Sequence, residues 1–164
     1  MSTSNLHATF LRCNDSHDPL GVDSPTPLLS WIGESMNPDE RGQRQTAYRI
    51  CAAHDVAGLD ATSSLLWDTG WVPRAVFLQV PWTGPALSSR ELVCWRVCLR
   101  DAAGQAGLWS APARFEMGLL HQRDWSARWI AADTKSRENP TGEMPSPYLR
   151  GEFTLPENVV TARV

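Results

Sequence analysis

No apolar run in these 164 residues approaches the roughly 20 that a membrane-spanning helix requires. No long stretch sustains a helical period either. The start, Met-Ser-Thr-Ser-Asn, lacks a basic segment followed by an apolar one, so no secretory signal is read there and a cytoplasmic address is expected. Lys and Arg are not clustered, and the formal charge is −3 with both signs mixed. That pattern points away from nucleic acid and from an anionic membrane as partners. A Gly-rich phosphate loop, a Gly-x-Ser-x-Gly elbow and a His-Glu-x-x-His pair are all missing, and no cofactor is indicated. Cys13 and His17 have a spacing that a metal could use, but zinc takes four ligands and no matching second pair follows. No metal site is therefore expected.

What is present reads as β structure. Hydrophobic residues make up 42% of the chain, enough for a packed core, and 12 Pro with 11 Gly mark many turns. The organising stretch is 87–101. Within it Val93, Trp95, Val97 and Leu99 alternate with Cys94, Arg96, Cys98 and Arg100. Period-two alternation predicts a strand with one buried face, the other meeting solvent or a polar neighbour. Residues 45–53 alternate in the same way, with Tyr48, Ile50 and Ala52 on one face, and are expected to lie antiparallel beside 92–100. Further short strands are expected at 6–11, 28–32, 65–70, 76–80 and 109–117. Pro112 marks the last as an edge or a bulge. Residues 54–64 read as a loop with a short helical turn. The fold class is all-β, with about seven strands in roughly 115 residues. Trp31 and Trp95 are expected to be buried near each other across two sheets.

Cys94 and Cys98 sit about 13 Å apart along one strand, too far for a disulfide, which needs Cα atoms within roughly 7 Å. A bridge from Cys51 to either is conceivable, but reduced thiols are expected from the apparent compartment. Leu87, Trp95, Arg96 and Val97 resemble the corresponding strand of fibronectin type III domains. Val93 stands where such domains place a corner Tyr, so the corner is expected to be held by packing alone.

Composition changes after Gly118. The reading divides the chain into a sandwich at 1–120, a connector and linker at 121–147, and at 148–164 the first strands of a truncated second β domain. Residues 148–155 and 159–164 supply those strands, and two strands cannot make an independent core. The chain is therefore expected to be the front of a longer protein.

Four ordered segments resemble the N-terminal region of bacterial α-L-rhamnosidases of glycoside hydrolase family 78. They are Pro27-Leu28-Leu29-Ser30-Trp31, the run from Arg41 to Ile50, Leu66-Trp67-Asp68-Thr69-Gly70, and Phe115-Glu116-Met117-Gly118-Leu119-Leu120 with Trp125-Ser126-Ala127-Arg128-Trp129-Ile130. Pro147-Tyr148-Leu149-Arg150-Gly151-Glu152-Phe153 resembles the start of the next accessory sandwich. The resemblance implies a fibronectin type III or immunoglobulin-like sandwich, a jelly-roll-like domain, and then an (α/α)6 barrel that removes terminal α-L-rhamnose by inversion. Its catalytic positions are not in this chain, so no catalytic residue is assigned.

The expected role is a non-catalytic accessory module whose partners are the neighbouring domains of the same polypeptide and, secondarily, a rhamnosyl glycan. The alternatives are a carbohydrate-binding module and a generic fibronectin-type interaction domain. Trp71 and Trp82, at turns, are the sugar-stacking candidates; Trp125 and Trp129 are the domain-docking candidates. Asp15, Asp18, Asp23 and Asp68 read as turn carboxylates, Asp68 accepting backbone N–H bonds.

Overall fold

The computed structural model describes residues 3–131, 148–155 and 157–159. Its strongest element is β6 (Leu92–Arg100), where Val93, Trp95, Val97 and Leu99 are all fully buried. The partner strand β3 (Ala47–Ala53) runs antiparallel to it, placing Tyr48 opposite Leu99, Ile50 opposite Val97 and Ala52 opposite Trp95. One face of each strand thus enters the same core, as the alternation requires.

The β4 strand (Trp67–Asp68) joins the far edge of β3. On the other edge of β6 lie both β7 (Ala106–Trp109) and β8 (Ala113–Glu116), each pairing with a different half of it. The strand expected at 109–117 is shortened to β8, which starts after Pro112, a residue with no N–H for the ladder; β7, just before it, shares only Trp109 with the expected range. The opposing sheet has the order β1–β2–β5, from β1 (Leu6–Cys13), β2 (Leu28–Ser35) and β5 (Val80–Pro81). Leu29 and Trp31 of β2 point inward with Trp95, Phe115 and Met117. Trp31 stacks edge-on against Tyr48 at 5.1 Å, and its indole N–H donates to Gln45 at 2.9 Å. Two antiparallel sheets enclosing one core make this an immunoglobulin-like β-sandwich.

Three further expectations change. The strand expected at 76–80 shrinks to Val80–Pro81 because Gln79 takes φ +51° and breaks the ladder. Residues 77–79 are tied to β2 by isolated bonds instead, Trp31 N–H to the Phe77 carbonyl and Gln79 N–H to Ser30 Oγ. Next, the outer face of β6 is not solvated at its thiols. The helix α1 (Val56–Asp60), capped by Asp55 accepting from Gly58 N–H, folds across it, and Leu59 packs with Cys51, Ala53 and Cys94 into a second small core. All four cysteines are buried and unbonded to one another. The corner without a Tyr is held by main-chain bonds as well as packing: Arg90 N–H donates to the Gly118 carbonyl and Met117 N–H to that of Glu91.

The chain divides into two compact units, Met1–Trp125 and Ser126–Val164, and a short turn of helix at Gln122–Asp124 belongs to the first. The described residues 148–155 form no strand. The linker expected at 133–147 and the strand end at 160–164 lie outside the described residues.

Candidate functional site

The alternation of β3 carries Arg49 and Cys51 to the outer face, and two-residue β4 sets Asp68 directly opposite Cys51. From there Arg49 grips the Asp68 carboxylate with two parallel bonds, 2.9 Å from Nε and 2.5 Å from a terminal nitrogen. Gly70 N–H donates to the same carboxylate at 2.8 Å, the turn role expected for Asp68. The Arg49 bonds outweigh burial and draw the Asp68 carboxyl down to about 2. Burial, with the Asp68 charge beside it, pushes the Cys51 thiol up to about 11.

On the other flank of β4 the surface opens into a cleft of about 370 Å³. Its floor is the half-buried Trp67 ring and Val80; Tyr48, Asp68, Arg74 and Thr83 bring polar groups to it. Trp67 is fixed from behind by Trp82, ring centres 4.4 Å apart, and both indoles lie against Gly84. A Cβ at Gly84 would meet Trp67 at 2.7 Å and Trp82 at 2.8 Å, so only glycine fits under the pair. Burial raises the Tyr48 phenol, while the positive charge of Arg74 pulls it back. Arg74 is exposed and has no carboxylate partner among the described residues, whereas Asp68 is already neutralised by Arg49.

The two sugar-stacking candidates lie in different surroundings. Trp82 is buried rather than exposed: it packs on Trp67 and, at 6.0 Å, on Phe115, and its N–H donates to the Pro85 carbonyl. The turn residues around it suggested exposure, but so large an apolar ring at a sheet end buries itself when a glycine clears space. Trp71 is half-buried, with the Arg100 guanidinium 4.1 Å over its ring. Trp125 and Trp129 are both exposed, Trp129 at 92%. The aromatic that does line a cleft, Trp67, read in the sequence only as a strand residue; the free charge of Arg74 had no sequence signal at all.

Among the described residues, no carboxyl has a resolved upward shift. A group that protonates a glycosidic oxygen needs a raised pKa. The carboxyls with resolved shifts are all held down: Asp68 by Arg49; Asp101, where burial pushes up but the Ser4 hydroxyl and backbone N–H groups win; and Asp124 by the Ser89 hydroxyl. No group of three or more metal-ligating side chains occurs among the described residues.

Two sheets enclosing a core filled by side chains define an immunoglobulin-like domain. The profile of the Rha78A-like N-terminal immunoglobulin domain matches residues 8–121, and the chain belongs to that family. It is 41% identical over 125 residues to an α-L-rhamnosidase of Streptomyces avermitilis, covering 76% of this chain and 12% of that protein. With an α-L-rhamnosidase of an Alteromonas species the identity is 35% over 150 residues, covering 90% and 16%. The crystal structure of the Streptomyces avermitilis α-L-rhamnosidase complexed with L-rhamnose superposes with a TM-score of 0.74 at 38% identity, over 82% of this chain and 13% of that one. The α-L-rhamnosidase of Dictyoglumus thermophilum gives 0.73 at 28% identity, over 80% and 15%. The chain thus spans only 12–16% of the length of these relatives.

Proposed function

We propose that this chain is a non-catalytic accessory module of an α-L-rhamnosidase, packing on and supporting the neighbouring domains of the same polypeptide. The observation that carries the reading is the family match over 8–121 to a domain that makes up a small fraction of much longer rhamnosidases. The chemistry agrees with it. The inward faces are occupied by side chains such as Trp31, Ile50, Trp95 and Phe115, and the shifted carboxyls are tied into bonds that keep them ionised. Trp129 and Ile130 expose apolar surface of the sort that neighbouring domains cover.

The 164-residue chain, incubated at high concentration with an aryl α-L-rhamnoside, should release aglycone no faster than buffer. Turnover abolished by one Asp or Glu substitution would overturn the non-catalytic reading. Deleting residues 1–125 from the parent enzyme should lower its Tm; an unchanged melt would remove the supporting role.

A further inference from the structure

We propose that the cleft beside β4 binds a pyranose unit that carries a carboxylate. Its volume, about 370 Å³, falls among small-ligand clefts, roughly 300–1,000 Å³. Trp67 gives it an apolar lining residue, and the indole is packed against Trp82 and Gly84. An indole packed in this way suits the C–H face of a sugar ring, and little side-chain entropy is lost on binding. Exposed Thr83 lines the same space, and its hydroxyl can donate to or accept from ring hydroxyls.

The charge balance selects the anionic substituent. The lining contributes one carboxylate, Asp68, and one guanidinium, Arg74. Asp68 is compensated from outside the cleft by both nitrogens of Arg49 and by Gly70 N–H, so its charge is spent. Arg74, exposed and with no carboxylate partner among the described residues, is the cation of the cleft, near enough to the Tyr48 phenol to oppose the effect of burial on it. A planar guanidinium with no partner takes a carboxylate through two parallel N–H···O bonds. The choice of a sugar over another small acid rests on the reading that the parent enzyme works on glycosides; the cationic cleft does not.

The test is a ¹H–¹⁵N titration of the 164-residue chain with methyl β-D-glucuronide, methyl β-D-glucoside, methyl α-L-rhamnoside and sodium acetate. The glucuronide should shift the Trp67 indole and the Gly70 and Val72 amides saturably. The two neutral glycosides and acetate should each bind at least tenfold more weakly. Arg74→Gln, an exposed change, should weaken glucuronide binding at least tenfold while leaving signals from the sandwich core in place. Neutral glycosides binding as tightly as the glucuronide, full affinity in Arg74→Gln, or shifts confined to other surfaces would overturn the proposal. Acetate binding as tightly as the glucuronide would overturn the sugar assignment. None of these readouts involves turnover, so failure here leaves the accessory-module reading standing, and rhamnosidase turnover by the chain would sink that reading without touching this one.

Discussion

At the scale of single residues, the Arg49–Asp68 pair gives the domain an acid-sensitive bond. The Asp68 carboxyl falls from 3.8 to about 2 on folding. A depressed carboxyl stabilises the fold above its unfolded pKa, and that contribution fades as pH falls through the folded value. The window is therefore about pH 4 down to about pH 2. Both side chains are roughly a third exposed, so the screened contribution is about 1 kcal/mol. Asp68→Asn should make the loss of urea stability across that window shallower, with Asp101 and Asp124 supplying the remaining slope; an unchanged slope would show that the pair contributes nothing. Trp95 is the opposite case, a fully buried ring whose N–H meets no acceptor among the described residues. Trp95→Ala should cost about 3–5 kcal/mol in denaturant unfolding. Trp95→Phe should cost much less, because it also removes a buried donor that goes unsatisfied.

At the scale of elements, α1 is a small lid over thiols. Its five residues have little intrinsic stability, so the Asp55 cap and the contacts of Leu59 hold it down. Arg96 assists from β6, donating to the Leu59 carbonyl at 2.6 Å and to Asp60 at 2.8 Å. Losing the cap should cost about 1 kcal/mol. Asp55→Ala should then raise alkylation of Cys51 and Cys94 in the folded protein by about fivefold, read by mass spectrometry, and leave Cys13 slow; equal rates in both proteins would show that α1 is not the lid. The elements also show what could be read in advance. Strands β3 and β6 and the burial of Trp31 and Trp95 were legible because period-two patterns report one buried face, and two such faces must meet. The short helical turn within 54–64 was legible too, but its place over the thiols was not, since Cys on the outer face of a strand looks the same whether water or Leu59 lies over it. Trp82 misled for a related reason: its burial depends on Gly84, whose service to two rings is visible only in three dimensions. Arg74 matters through what fails to pair with it, and a sequence does not record that.

At the scale of the whole molecule, the two sheets are joined along one side. Ser4 N–H donates to the Ala106 carbonyl at 3.0 Å, and Gly107 passes so close to β1 that a Cβ there would lie 2.0 Å from the Leu6 carbonyl oxygen. Alanine at 107 can be accommodated only if β7 and β1 move apart, so Gly107→Ala should lower stability by ~2 kcal/mol or more; an unaltered melt would mean that the approach is not needed. The exposed side of β8 is occupied too: Arg114 N–H donates to Asp18, Glu116 N–H to the Pro19 carbonyl, and Val22 N–H to the Glu116 carbonyl. The remaining edge strands, β4 and β5, are two residues long. Among the described residues, short β4 and β5 and the close approach of β7 to β1 narrow the edges on which a foreign chain could grow a sheet. Gly107→Ala, by parting β7 from β1, would uncover the outer edge of the eight-residue strand β1, and light scattering on gentle heating should show its solutions turning cloudy well before the parent's do.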